Sequence, residues 1–188
     1  MKRFISHVPF VRTSLFASAS FALMAVTASA QTTVTLADTS QTTLLTATVS
    51  EQARIVVPAS VSFNVGNIAN STAASAATVT IDRMVLASAT KQLRISVQAN
   101  AASFTPPAVG ATTWSASDVT WNAASWTRAT GVSGVMSSVS FTQIATCDPG
   151  AADCSTTDLT FTLGAKPTVN RSGAHTLIVT WKFEGIGS

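Results

Sequence analysis

Apolar and polar residues alternate along most of this chain. Val61, Phe63 and Val65 occupy every second position, as do Leu93, Ile95 and Val97, then Leu159, Phe161 and Leu163. The longest such run carries Leu177, Val179, Trp181 and Phe183. A period of two turns alternate side chains to one face, so each run predicts a strand with one buried side. Val79 with Ile81, Val119 with Trp121, and Val135 with Val139 and Phe141 predict further strands. Between the runs lie breakers: the small, polar stretch 66–76, the stretch 99–110 with Pro106-Pro107, the stretch 129–134 with Gly131 and Gly134, and the stretch 164–173 with Pro167. No segment keeps a helical period over about ten residues. Strands at this spacing predict an all-β chain, an antiparallel β-sandwich ahead of a closed barrel.

The first thirty residues follow a different pattern. Lys2, Arg3 and Arg12 precede a largely apolar run from Leu15 to Val26, and Ala28-Ser29-Ala30 closes it with small residues. This is the three-part form of a secretory signal, with cleavage expected after Ala30. The apolar run is too short and too rich in Ser to span a hydrocarbon layer of about 30 Å. The expected organisation is a signal peptide at 1–30, a strand or arm segment at 31–57 and a β-sandwich domain at 58–188. In the arm, Val34 and Leu36 alternate, then Leu45, Ala47 and Val49, with a polar stretch between them.

Cleavage changes the reading of charge. The whole chain has 11 Lys plus Arg against 8 Asp plus Glu. Removing Lys2, Arg3 and Arg12 leaves eight of each sign. The basic face that nucleic acid requires is then missing, and so is a polybasic membrane patch. No later apolar run is long enough for membrane insertion. Ser and Thr outnumber the charged residues, so the solvent face is hydroxylated, which leaves sheet edges poorly protected against strand-to-strand association.

Cys147 and Cys154 flank Asp-Pro-Gly-Ala-Ala-Asp. In an exported chain a close pair around a Pro-Gly turn predicts a disulfide, worth about 2–3 kcal/mol for a short loop. A zinc site is the alternative, but the one His after residue 30, His175, lies in another segment and the spacing does not fit.

Residues suited to catalysis are sparse. His175 stands at the start of the last strand with no nucleophile elbow in the chain, and is expected to be a strand-end residue rather than a base. Asp148, Asp153 and Asp158 recur every fifth position, too widely for a calcium loop, and read as turn acids. Glu51 and Glu184 are isolated. No metal, cofactor or enzymatic activity is expected. Trp114, Trp121 and Trp126 form the one aromatic group that could offer a flat platform to a glycan; core burial is the competing reading. Asn70-Ser71-Thr72 and Asn170-Arg171-Ser172 match a glycosylation sequon, as chance allows in so hydroxylated a chain.

The run from Ser172-Gly173 through Trp181-Lys182-Phe183 is similar to the Gly-led final strand of pilin-type domains, and Val61-Ser62-Phe63-Asn64-Val65-Gly66 to an early strand of them. The chain from Pro58 onward thus resembles the immunoglobulin-like β-sandwich subunits that bacteria export to build surface fibres. The resemblance implies export through the periplasm to the cell surface and self-association through edge strands, with an N-terminal arm completing the sheet of the next subunit. It differs in its local Cys pair and in lacking an aromatic Tyr end. The expected function is a structural fibre or pilus-like subunit, with Val34, Leu36, Leu45, Ala47 and Val49 as the inserted side chains. The alternative is a secreted module that binds a surface glycan or protein through Trp114, Trp121 and Trp126.

Overall fold

A computed structural model describes residues 42–187. The expected signal sequence and the arm residues Val34 and Leu36 lie outside the described residues. The chain divides into Met1–Thr46 and Ala47–Ser188. Of the first part, residues 42–46 have no regular secondary structure, and Leu44 and Leu45 are 91% and 88% exposed.

The second part is all-β among its described residues, with one 3-10 turn at Ala116–Asp118. Its strands are β1 (Gln52–Val56), β2 (Thr72–Ala73), β3 (Ala77–Val85), β4 (Gln92–Ala99), β5 (Val119–Trp121), β6 (Ala129–Gly131), β7 (Gly134–Val135), β8 (Thr142–Cys147), β9 (Cys154–Leu159), β10 (Phe161–Leu163) and β11 (Val179–Ile186). They form three antiparallel sheets with the orders β1-β3-β9, β2-β10-β5-β7 and β11-β4-β8-β6. The first two share the chain runs β2–β3 and β9–β10, broken between Leu159 and Phe161. The inward residues of all three sheets meet in one cluster that includes Val79, Ile81, Ile95, Val97, Ile144 and Leu159. The result is a sandwich-like fold, as the alternation predicts.

Burial follows the period-two pattern most closely in β3, where Ala77, Val79 and Ile81 are buried and the residues between them are not. In β4, Leu93, Ile95 and Val97 are buried as expected. Two expectations change. The stretch 129–134 is not a breaker but supplies β6 and β7. Its glycines serve close packing: a Cβ at Gly134 would collide with the Trp121 ring, and one at Gly131 with the Ala124 carbonyl and Trp126. The run Val135, Val139, Phe141 is not a buried face, since Val139 is 90% exposed and β8 buries Ile144, Ala145 and Cys147 instead. Within 31–57, expected as a strand or an arm, residues 52–56 are a strand. β1 pairs with β3, Arg54 opposite Asp82, so residues 52–56 belong to the body.

One side of the sandwich is laced shut. Thr127 exchanges two backbone hydrogen bonds with Ser155 of β9, at 2.8 and 3.2 Å. Two residues later the chain joins β8 as β6. Arg128 makes the switch between sheets at φ +54°. On the same side Cys147 of β8 and Cys154 of β9 form the expected disulfide. Their loop turns at Asp148–Ala151, closed by the Ala151 N–H donating to the Asp148 carbonyl. Gly150 has φ +66° there, and Pro149 precedes it, as a type II turn requires.

Candidate assembly groove

The opposite side is open. Among the described residues β1 and β11 are the outer strands of their sheets there. After β1 the chain passes Pro58 and runs through Val61, Phe63 and Val65, which alternate half-buried with exposed Ser62 and Asn64. The predicted alternation is present, yet 58–66 is not a strand. Its backbone makes no hydrogen bond to any other described residue. A period-two stripe therefore packs on the core without a ladder to hold it.

β11 faces this segment. Residues 179–186 pair with β4 along their full length. Further back, Thr176 and Ile178 bond to Thr105 and Asn100, extending the same ladder. Groups on a strand point left and right in alternation. Thr176 and Ile178 turn theirs toward residues 100–105, which aims the N–H and C=O of Leu177 the other way. Leu177 has no backbone hydrogen bond among the described residues. Its side chain, with those of Val179, Trp181 and Phe183, is only half-buried although it packs against the core.

Between the two runs lies a groove of about 1080 Å³. Residues 58–65 form one wall and residues 171–179 with Trp181 the other. Phe104, Trp114, Val119, Phe161 and Leu163 form the floor. All five are core residues, so the groove opens into the hydrophobic interior. Its length follows from its wall: about eight extended residues at 3.3 Å each give about 26 Å. An apolar trough of that length, bounded by an unpaired strand edge, has the dimensions of one further strand.

His175 sits at the wall. Its Nε2 lies 3.1 Å from the Arg171 carbonyl, which can only accept, so the proton is on Nε2. Nδ1 lies 2.7 Å from the Thr113 hydroxyl, which can take either role. The ring meets Trp114 edge-on at 5.2 Å between centroids. Both nitrogens are thus engaged, one within the wall and one with the residue next to Trp114.

Of the two readings for the Trp group, Trp114 and Trp121 take core burial. Trp114 and Trp121 are 5% and 4% exposed. Their indole N–H groups donate to the Gly164 and Val132 carbonyls, each at 2.9 Å. Large alternating aromatics fill the space between sheets, and the polar atom finds a backbone acceptor. Trp126 is half-buried against the same core, with its Nε1 buried and unbonded. The three rings present no common face to solvent. Trp181, which carried only a core reading, lines the groove wall, and buried Trp114 its floor.

The acidic residues serve as local ties. Asp158 accepts from the Thr156 hydroxyl at 2.6 Å and from the Ser125 N–H at 3.2 Å, and these bonds hold its carboxyl below the usual range. Asp153 pairs with Arg128, and Asp82 with Arg54 across β1 and β3. Glu51 accepts from Lys91 at 2.9 Å and from the Ala87 N–H at 2.7 Å, which lowers its pKa. Among the described residues no group of three His, Cys, Asp or Glu is placed to hold a metal ion. No described helix is long and apolar enough to cross a membrane.

Of the partner-strand residues predicted from sequence, the described ones, Leu45, Ala47 and Val49, are not part of the groove wall. Leu45, Ala47 and Val49 are exposed, Val49 at 68%, on a stretch, 42–50, that has no strand pairing. Residues 171–179 carry the groove, and sequence had marked their alternation but not their free edge. Comparison with protein-family models, curated proteins and solved structures finds no significant match. Fold and groove together define an all-β, sandwich-like domain with one laced side and one open side.

Proposed function

We propose that this protein is an exported structural subunit of a surface fibre, assembling by β-strand addition. The observation that carries the reading is the groove: a strand edge with unpaired backbone groups beside a trough that exposes core side chains. Strand addition supplies both missing elements at once, backbone hydrogen bonds for the edge and alternate apolar side chains for the trough. The chain also holds a matching segment in 42–50, whose leucines stand in solvent. The near balance of charge after residue 30 and the hydroxylated surface favour close association of copies, because little charge repels an incoming edge.

The test is a chain lacking residues 31–50, which stops short of β1 and leaves the body complete. The parent, purified after signal removal, should give a ladder of sizes on gel filtration and fibres by electron microscopy. The shortened chain should keep its β-type circular dichroism and run as one small species. A ladder that survives the deletion, or a parent that is only monomeric, would sink the reading.

A further inference from the structure

We infer a second contact surface, formed by residues 102, 116–117 and 135–139, and assign it to the same surface of another copy, with Val139 of each seated in a hollow of the other.

Val139 is 90% exposed, and Val135 and Phe141 on the same run are 49% and 38% exposed. Val139 is nevertheless held in place. The Ser137 hydroxyl accepts from the N–H groups of Val139 and Ser140 at 3.1 and 3.2 Å. The Ser137 carbonyl accepts from the Ala99 N–H at 2.9 Å, and the Ser138 carbonyl from the Gln98 amide at 3.0 Å. These bonds tie the bend at 137–140 to the end of β4, and its tip holds a branched apolar side chain out in solvent. A side chain fixed beforehand loses little freedom on contact, which suits it to be an anchor.

Beside this knob is an open hollow of about 440 Å³. Buried Ala116 and Met136 form its floor, and exposed Ala102, Ser117 and Val139 its rim. Backbone bonds fix its shape: the Ala116 N–H donates to the Ala102 carbonyl and the Met136 N–H to the Val119 carbonyl, each at 2.8 Å. No residue lines both this hollow and the groove beside β11.

The surface carries no charge. Asp, Glu, Lys and Arg are all absent from 95–117 and from 129–147. Asp118, next to the hollow, turns its carboxylate to Lys166 and to the Ser115 N–H. Lys182 lies over the Phe141 ring and pairs with Glu184. A charged partner would therefore leave its own groups unpaired here, whereas an uncharged one loses nothing. Two copies of this surface have no like charges to hold them apart. A projecting valine and a hollow side by side on one surface are the two halves of an isologous contact, in which each copy's knob meets the other's hollow.

One such contact is small: eight residues line the hollow, against the roughly 20–30 a side of a stable complex. Single subunits should separate. Along a fibre built by strand addition the contact repeats at every subunit, and many weak contacts act together. The surface therefore joins fibres side by side, a consequence that rests on the strand-addition reading.

Two variants of the full chain test this. Val139→Asp charges the knob, and Ala102→Lys fills and charges the rim. Both positions are exposed, so both chains should keep the parent's circular dichroism and its ladder of sizes on gel filtration. By electron microscopy parent fibres should lie side by side, at about 50 mM and about 500 mM salt alike. Fibres of either variant alone should lie single, with pairing reduced about tenfold or more. Fibres of the two variants, formed separately and mixed, should pair again, because the new carboxylate meets the new ammonium, and this pairing should fade at high salt. Val139→Asp fibres that pair as well as the parent's overturn the knob. Loss in each variant with no rescue in the mixture overturns the second copy as occupant. Parent fibres that lie single overturn the contact and leave strand addition standing. If the parent makes no fibres, strand addition fails, and the contact is read as a monomer–dimer equilibrium by sedimentation at about 1 mM protein. There Val139→Asp should abolish the dimer, and a parent that is monomeric overturns the inference.

Discussion

The two sides of this sandwich are built from the same alternating strands and end differently. On the laced side one chain segment bonds first to β9 and then to β8, and a disulfide joins those strands a few residues away. Each inward residue there has neighbours on all sides, as with Leu159, Ile144 and Cys147, which are essentially inaccessible. On the open side Val61, Phe63, Leu177 and Val179 point inward just as regularly but stop half-buried, because among the described residues no strand lies between them. Equal hydrophobicity thus gives two outcomes. Where both sheets share a strand the burial is complete. Where they do not, apolar surface and backbone groups stay uncovered.

The contrast can be broken most directly at the core. Leu159→Ala on the laced side should lower the unfolding free energy by about 3 kcal/mol, read by chemical denaturation. Val179→Ala on the open side should cost the monomer clearly less, yet weaken assembly strongly. Equal losses of monomer stability from the two would show that the sides do not differ. Next in size is the staple. Replacing Cys147 and Cys154 together by Ser should cost about 2–3 kcal/mol while leaving assembly by the folded protein intact. A chain that no longer polymerises under conditions where it stays folded would tie the staple to the groove. Smaller again is Leu45→Asp, which should reduce polymer yield but leave monomer stability within about 0.5 kcal/mol of the parent, as expected for an exposed site.

The smallest expected effect is acid sensitivity on the laced side. The Thr156 and Ser125 hydrogen bonds depress the Asp158 pKa from its ordinary 3.8. A depressed carboxylate stabilises the fold above its unfolded pKa, and that contribution fades as pH falls through the lower folded value. Asp82, Glu51 and Glu184 are lowered by their basic partners and act in the same sense. Asp158→Asn should therefore flatten part of the loss of stability below about pH 4, seen as a smaller drop in Tm between neutral and acid buffer. A variant with the parent's full acid slope would show that this loop tie does not contribute.

Much of the fold is legible in the chain because alternation is local. Leu93-Ile95-Val97 and Val79-Ile81 name their strands and buried faces without help, and Cys147 and Cys154 are near enough in sequence to name each other. Glycine misleads where its reason is distant: Gly131 and Gly134 look like turn residues until Trp121 and Trp126 are packed against them. Tryptophan misleads similarly, since an indole on a strand reads the same whether it faces solvent or the interior.

Sequence by itself determined that this chain makes strands, which side chains each strand turns inward, and that a short loop is stapled. Tertiary structure alone decided that residues 52–56 pair within the body, that Trp114 and Trp121 are enclosed, and that the stripe through Val61 and the edge of β11 face each other with no strand of the described residues between. The physical reason is one of range. A residue's direction is set by its immediate neighbours along the backbone, whereas its burial and its hydrogen-bond partner are set by whichever distant segment lies beside it.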